Sequence, residues 1–189
     1  MTHDKYIIEL ARSEHLDMLP EIELAAAALF PNDVITSEIR ASIVPREQLI
    51  VAQMEDRLWV AVTSRGTPVG FAIALPEYNC AFLHEIDVHP AHQRRGLGRR
   101  LIQEVVNWAQ AKKFACVSLT TFEHVPWNAP FYSRLGFRKL AEHELSRELV
   151  GRLQLERQRG LRQRIAMQLE LDPKQPNNPI HATCEDARA

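Results

Sequence analysis

The strongest structural signal in the chain is the segment Asp87-Val88-His89-Pro90-Ala91-His92-Gln93-Arg94-Arg95-Gly96-Leu97-Gly98-Arg99-Arg100-Leu101. An apolar segment over 81–88 leads into it, and a segment with apolar residues at helical spacing leads out of it to Ala111. Gly96 and Gly98 permit positive φ and close approach of a ligand to the backbone. The first N–H groups of a helix lack intrahelical partners and attract anions, and the arginines of the turn add formal positive charge. The sequence therefore predicts a strand, an anion-binding turn and a helix.

Two common phosphate-binding motifs are excluded. A Walker loop needs Gly-Lys-Ser/Thr, whereas Gly98 is followed by Arg99-Arg100. A dinucleotide-binding fingerprint needs a third glycine where Leu101 stands, and an acidic residue roughly 20 positions later, where 115–121 offers none. On these residues alone the turn fits either phosphate binding or a strand–turn–helix with a solvated basic rim.

Composition describes an ordinary globular chain. Its 189 residues suffice for one domain with a real core, and 46% of them are hydrophobic and 25% charged. A net charge of −1 argues against non-specific attraction to nucleic acid or to a membrane. No apolar run approaches the length of a membrane span and no secretory leader is apparent, so a cytoplasmic protein is expected. Cys80, Cys116 and Cys184 are odd in number and without Cys-x-x-Cys spacing, which favours free thiols.

Hydrophobic periodicity predicts an alternation of strands and helices. Strands are predicted at 6–11, 58–63, 69–75, 81–88, 115–121, Phe137 to about Leu145, and 165–169, where the last closes the sheet. Helices are predicted from Ser13 (interrupted at Pro20), from Pro45 to about Met54, and at 97–111, 128–135 and 148–161. The short connection from 81–88 through the helix to 115–121 implies a right-handed parallel crossover, with the glycine turn at the carboxyl ends of the two strands. We expect one domain over 1–170 and a flexible, proline-containing tail over 171–189.

Two spaced motifs resemble a known superfamily. Gln93-Arg94-Arg95-Gly96-Leu97-Gly98, preceded by Val88-His89-Pro90, resembles the acyl-CoA loop (Gln/Arg-x-x-Gly-x-Gly/Ala) of the GNAT superfamily of N-acetyltransferases, small bacterial type. Asn128-x-x-Phe131-Tyr132-x-x-Leu135-Gly136-Phe137 resembles its C-terminal signature, in the expected order. The resemblance covers roughly residues 5–170 and is specific over 81–137. It implies a single-domain α/β acyl-CoA N-acyltransferase fold: a mixed, mostly antiparallel sheet with a central splayed parallel strand pair, flanked by helices.

The resemblance also implies an acyl donor and its contacts. The donor is acetyl-CoA, and the residues expected to bind it are Ile86, Asp87, Val88, Gln93, Arg94, Arg95, Gly96, Leu97, Gly98, Arg99, Asn128 and Tyr132. Backbone groups of Ile86 and Val88 would hold the pantetheine arm, and the N–H groups from Arg94 to Arg99 would surround the pyrophosphate. The Val88 N–H would polarise the thioester carbonyl. Asn128 would fix the same arm or cap its own helix.

Catalytic roles follow from the same resemblance. Tyr132 is the candidate acid for the departing thiolate, or else a packed tyrosine. Glu85 is the candidate base for the acceptor ammonium, with Asp87 and Glu123 as alternates and ordinary surface carboxylates as the other interpretation. Regular alternation places Glu85 on one face with Leu83 and Asp87, unless a bulge changes the phase.

Metal and thiol chemistry are not expected. His84, His89 and His92 have no cysteine nearby, and the last two lie in a loop rather than at helical spacing. Cys116, mid-strand among apolar residues, is predicted to be a core thiol. Direct attack by the amine requires neither a metal ion nor a nucleophilic thiol.

The predicted reaction is transfer of the acetyl group of acetyl-CoA to a primary amine of a small-molecule acceptor by direct attack. Phe122, Trp127 and Phe131 suggest an aromatic pocket for that acceptor. The alternatives are a protein N-terminal or lysine acetyltransferase, and a non-catalytic acyl-CoA sensor. No nucleic-acid or membrane partner is expected, and the chain is a monomer or a homodimer. The acceptor itself cannot be named from the sequence.

Overall fold

A computed structural model describes residues 5–172 of the chain. Its strands are β1 (Ile7–Leu10), β2 (Leu58–Val62), β3 (Pro68–Pro76), β4 (Cys80–Val88), β5 (Cys116–Phe122), β6 (Arg138–Lys139) and β7 (Arg164–Glu170). They form one sheet in the order β1-β2-β3-β4-β5-β7-β6. Every neighbouring pair is antiparallel except β4 and β5, which are parallel. The predicted mixed sheet is confirmed.

The helices are α1 (Leu19–Ala27), α2 (Ser37–Arg40), α3 (Arg46–Met54), α4 (Leu97–Ala111), α5 (Ala129–Arg134) and α6 (Arg147–Gln158). Pro20 divides the first predicted helix, because Ser13–Met18 is a 3₁₀ helix and α1 begins only at Leu19. The short α2 was not predicted. Thr36 caps it, since its hydroxyl accepts the Ile39 N–H at 3.3 Å.

The C-terminal strands differ from the prediction. The strand expected from Phe137 to about Leu145 is reduced to Arg138–Lys139 and followed by a 3₁₀ turn at Glu142–Glu144, where consecutive polar residues interrupt the alternation that a strand needs. The last strand does not close the sheet at its edge. β7 lies between β5 and β6, pairing with β5 along its whole length.

Helices cover both faces of the sheet. The buried side chains of α4 belong to one core cluster with Trp59, Ala72 and Leu83 of the strands. On the other face, α1 and α3 pack on Val60, Phe71 and Ile73. α6 lies on that second face beyond them, and its Leu149 packs with Phe82 and Ala166. Among residues 5–172, no helix has the length and apolar character needed to cross a membrane.

The parallel strands separate where the site lies. β4 and β5 are paired only at Cys80–Cys116, Ala81–Val117 and Phe82–Ser118. Beyond Phe82 the described residues show no further pairing between these strands, so their carboxyl-terminal halves are splayed. The predicted splayed pair is confirmed, and it leaves an open gap in the middle of the sheet.

Two cysteines behave differently from the prediction. Cys80 and Cys116 are direct neighbours across the parallel pair, with their Cα atoms 4.7 Å apart, and the structure joins them as a disulfide. The expectation of free thiols is therefore wrong for this pair. Sequence spacing cannot reveal a neighbour created by a crossover connection.

The predicted tail falls mostly outside the described residues. Residues 173–189, including Cys184, belong to that part of the chain. Leu171, assigned to the tail by the sequence, is buried, and its N–H donates to the Ala115 carbonyl at 2.9 Å.

Candidate active site

A cavity of about 600 Å³ opens where β4 and β5 separate. Its walls come from the carboxyl-terminal halves of both strands, from α1 and the segment leading to α3, from the start of α5, and from α6 and β7. This volume is typical of small-molecule sites.

A bulge in β4 turns its carboxylates toward this cavity. Ile73 of β3 pairs with Glu85 and Ala74 pairs with Leu83, so His84 is an extra residue without a partner. Leu83 therefore packs in the core cluster of α4, whereas Glu85 and Asp87 line the cavity on the opposite face. Regular alternation, which grouped Leu83 with these carboxylates, is wrong at this point.

Three carboxyl groups converge there. Oxygen atoms of Glu23, Glu85 and Asp87 lie within 4.8 Å of one another. Glu23 accepts the Val44 N–H at 3.0 Å, and Glu85 accepts the Ile86 N–H at 3.3 Å. Asp87 Oδ2 is buried with no hydrogen-bond partner among the described residues. We call Glu23, Glu85 and Asp87 the carboxyl triad.

Burial and mutual repulsion raise the pKa values of the carboxyl triad. Burial, with a further contribution from the Glu23 carboxylate, raises the pKa of Glu85 to about 7. Burial and the charges of Glu85 and Glu23 hold the pKa of Asp87 well above its usual range. Burial also raises the pKa of Glu23, although its bond to Val44 opposes this. Because three adjacent carboxylates cannot all ionise near neutral pH, the group holds exchangeable protons there.

Glu23 had no predicted role, although the sequence contains a signal for one. Glu23 falls at the helical spacing of Leu19, Ile22 and Ala26, the residues that α1 buries. A charged residue on an otherwise apolar helix face needs a polar surrounding, and the triad supplies it.

Asn128 and Tyr132 also line the cavity. The Asn128 side chain does not cap α5, and its Oδ1 is buried with no partner among the described residues. The ring of Tyr132 packs edge-on against Phe131 and Phe137. Burial, with a smaller contribution from the Glu85 carboxylate, raises the pKa of Tyr132 above its usual range, so the phenol keeps its proton. No residue within 5–172 hydrogen-bonds its hydroxyl.

The glycine turn has the geometry of an anion site. Arg94 and Gly96 both have positive φ, +58° and +74°, and α4 begins directly afterwards at Leu97. Gly98 lies inside the first turn of α4 without positive φ, in contrast to the expectation. The Gln93 side chain donates to the Val88 carbonyl at 3.1 Å and fixes the turn to the end of β4. The free end of α4 thus points its N–H groups out of the turn.

The N-terminal strand anchors this turn through Tyr6. Arg95 donates to the Tyr6 hydroxyl at 2.8 Å, and that hydroxyl also bonds His92 Nδ1 at 2.9 Å. Arg100 donates to the Tyr6 carbonyl at 3.2 Å. Sequence reasoning did not connect Tyr6 with the turn, because 86 and 89 residues separate it from His92 and Arg95 along the chain.

The predicted aromatic pocket residues occupy different places. Phe122 lines the cavity. Trp127 is 48% exposed and packs against the ring of Phe30, and Phe131 packs against Gly98 at the start of α4. Within the described chain, neither Trp127 nor Phe131 belongs to the cavity lining.

The remaining candidates from the sequence are Glu123 and the three histidines. Glu123, the alternate base, is exposed and ion-paired with Lys139. His89 accepts the Ala91 N–H at 3.3 Å, and His92 bonds Tyr6. His84 lines the cavity, where burial and the nearby Arg152 lower its pKa to about 4, so that it is neutral. Among residues 5–172, the group with metal-ligand spacing is the carboxyl triad rather than a histidine cluster.

Two arginines of the cavity wall are neutralised by acidic partners. Arg152 pairs with Glu77 at 2.6 Å and stacks 3.8 Å from the centre of the Phe82 ring. Arg164 pairs with Glu156 at 3.0 Å, and Glu156 also accepts the Thr120 hydroxyl at 2.6 Å. Such pairs hold α6 and β7 in place as a wall of the cavity.

A family model matches this chain. The model of the acetyltransferase (GNAT) family matches residues 8–137, more than half of the chain. The matched region contains the glycine turn, the splayed strands and α5.

Solved structures share this fold. The ribosomal-protein-S18-alanine N-acetyltransferase from Escherichia coli matches with a TM-score of 0.63 and 20% identity, over 92% of this chain and 99% of that one. A phosphinothricin acetyltransferase from Sinorhizobium meliloti, in complex with acetyl-CoA, matches with a TM-score of 0.64 and 17% identity, over 96% and 97%. The PaiA N-acetyltransferase from Thermoplasma acidophilum, in complex with coenzyme A, matches with a TM-score of 0.63 and 17% identity, over 88% and 99%. At these identities the likeness concerns the fold alone.

Proposed function

The chain belongs to the acetyltransferase (GNAT) family, and from that premise we propose that it transfers the acetyl group of acetyl-CoA to a primary amine of a small-molecule acceptor. The observation that carries this proposal is the placement of the carboxyl triad and the Tyr132 phenol in one cavity, at the splayed end of β4 and β5. One side of the cavity can accept a proton and the other can donate one.

The residues present fit the acyl donor. The Oδ1 of Asn128 is a buried acceptor that needs an N–H donor, which the amide groups of a pantetheine arm possess. Beyond Phe82, the side of β4 facing β5 is unpaired, so an extended amide chain can lie beside Ile86 and Val88 as a strand would. The turn from Gln93 to Arg99 offers N–H groups and positive charge for the pyrophosphate. When bound, acetyl-CoA supplies an acetyl group activated as a thioester.

Glu85 performs the first proton transfer. An alkyl ammonium with a pKa near 10.4, like that of lysine, is protonated at neutral pH and cannot attack a carbonyl carbon. Glu85, with its pKa of about 7, is half ionised there and accepts that proton. Asp87 and Glu23 share the proton of Glu85, and they hold the acceptor ammonium in place before it gives up its own proton. The freed amine nitrogen then bonds to the acetyl carbon.

Val88 and Tyr132 act on the donor side of the reaction. The Val88 N–H polarises the thioester carbonyl, a contribution worth on the order of 10²–10³ in rate at comparable sites. As the carbon–sulfur bond breaks, Tyr132 donates its hydroxyl proton to the departing sulfur. Its raised pKa keeps that proton available at neutral pH.

The walls of the cavity favour a small acceptor. Arg159, next to the end of α6, donates to the Ser42 hydroxyl at 3.1 Å, and this bond joins the end of the C-terminal helix to the segment before α3. Both residues line the cavity. A protein substrate needs an open acceptor groove. The two comparison enzymes named for their acceptors act on a ribosomal-protein alanine and on phosphinothricin, so the family accommodates both kinds.

The test is an assay of thiol release from acetyl-CoA over a panel of small amines, amino acids and peptides, with calorimetry of acetyl-CoA binding. We expect binding, and turnover with at least one small amine. Absence of acetyl-CoA binding at millimolar concentration would contradict the proposal at its base. Binding without turnover on the panel would favour the sensor, and turnover on peptides alone would favour a protein acetyltransferase.

A further inference from the structure

The cavity lining carries charged groups of both signs. The carboxyl triad of β4 and α1 contributes one group, and Arg159, which follows α6, contributes another. We infer that the acceptor carries an anionic group in addition to its reacting amine, as an ω-amino acid or an acidic amino acid does. This inference rests on the proposed acetyl transfer and specifies its substrate class.

Arg159 differs from the other arginines of the cavity. Arg152 and Arg164 have carboxylate partners in Glu77 and Glu156 and are also stacked on aromatic rings. Arg159 has no acidic partner among residues 5–172. It donates one N–H to the Ser42 hydroxyl, which leaves four of the five guanidinium donors.

The contact with Ser42 fixes the direction of Arg159. Ser42 and Arg159 both line the cavity, so their hydrogen bond holds the guanidinium over it. A planar guanidinium with free donors binds a carboxylate or phosphonate through two parallel hydrogen bonds. The site is therefore complementary to an anion that enters with the acceptor.

Apolar side chains also line the cavity, among them Ile39, Leu155 and Leu161. An acceptor with an ammonium at the carboxyl triad, an anion at Arg159 and a hydrocarbon chain joining them therefore matches the lining. A diamine or polyamine fits less well, because its second ammonium would lie against Arg159 and repel it.

The experiment compares acceptors that differ only at the end remote from the amine. A ladder of ω-amino acids from glycine to 6-aminohexanoate is assayed for thiol release beside the n-alkylamine and the diamine of the same chain length. Glutamate and glutamine form a second matched pair. We expect kcat/KM to favour the anionic member by about 10- to 100-fold at the best chain length, the usual value of a hydrogen bond to a charged group.

Arg159→Gln tests the residue. It should reduce the preference for the anionic member to about one, mainly through a higher KM for that member. Arg157→Gln is the matched control, since Arg157 is exposed on the same helix and outside the cavity lining. Thermal melting and acetyl-CoA binding are measured for both variants to show that each is folded.

The outcomes separate the two proposals. Thiol release with equal or better rates for alkylamines or diamines would overturn the inference and leave the acetyltransferase proposal standing. An equal loss of kcat/KM for both members of a pair in Arg159→Gln would also overturn the inference. No thiol release from any acceptor would contradict the small-molecule acetyltransferase proposal itself.

Discussion

Replacement of Glu85 by glutamine tests the centre of the mechanism. Glu85→Gln keeps an oxygen that can accept the Ile86 N–H but removes the proton acceptor. We expect kcat to fall by about 10²–10⁴, the usual contribution of a general base. In the unmodified protein, kcat/KM should rise with pH as Glu85 loses its proton, with a midpoint near its pKa of about 7. That acid limb should disappear in the variant.

The same replacement should change stability with a predictable sign. The pKa of Glu85 rises from an ordinary 4.5 to about 7 on folding, so the folded state binds the proton more tightly between these values. Stability therefore falls as pH rises through that window, and the ~2.5 pH units correspond to up to about 3 kcal/mol. Glu85→Gln should be the more stable protein at pH 8 and gain little at pH 4.

Urea unfolding at both pH values and a pH–rate profile measure these effects. Glu123→Gln is the matched control, because that carboxylate is exposed and paired with Lys139, and it should leave the acid limb unchanged. A Glu85→Gln variant that keeps the acid limb and most of its activity would refute the assignment and transfer the role to Asp87. A variant that is less stable at pH 8 would refute the electrostatic argument.

Three further substitutions test neighbouring parts of the site. Glu23→Gln removes the carboxylate that helps to raise the pKa of Glu85, so the acid limb of kcat/KM should move to lower pH; an unmoved limb would mean that Glu23 has no influence. Tyr132→Phe should lower kcat and leave acetyl-CoA affinity in calorimetry nearly unchanged, whereas an equal loss of both would make Tyr132 a binding residue. Gly70→Ala should destabilise the fold by about 1–3 kcal/mol in urea unfolding, because a Cβ there would lie 2.9 Å from the Asp87 carbonyl oxygen; unchanged stability would show that β4 can shift freely.

The local features of this site could be predicted from the sequence because they depend on residues that are close together along the chain. The glycine turn combines a strand, residues suited to positive φ and an amphipathic helix within one short stretch, and the bounds of α4 follow directly from periodicity. Asn128 and Tyr132 were recognised by their spacing within one motif. The three aromatic residues predicted to form the acceptor pocket were less informative, because Phe122 is the one of the three that lines the cavity.

The carboxyl triad shows where sequence reasoning ends. Glu85 and Asp87 were candidates, but their direction depends on the bulge at His84, which arises from the register of β4 against β3. Glu23 joins them only because α1 packs on that face of the sheet. The pKa of about 7 of Glu85 is a property of the assembled carboxyl triad, since burial and a neighbouring charge both come from distant parts of the chain.

Three features could be predicted from local sequence: the anion-binding turn, the crossover that makes β4 and β5 parallel, and the family to which these motifs point. Folding set three features that local sequence could not: the place of β7 inside the sheet, the pairing of Cys80 with Cys116, and the meeting of Arg159 and the carboxyl triad in one cavity. The physical reason is the range of the interactions. Turn conformation and helical periodicity act between near neighbours in sequence, whereas register, burial and charge depend on which surfaces meet after the chain has folded.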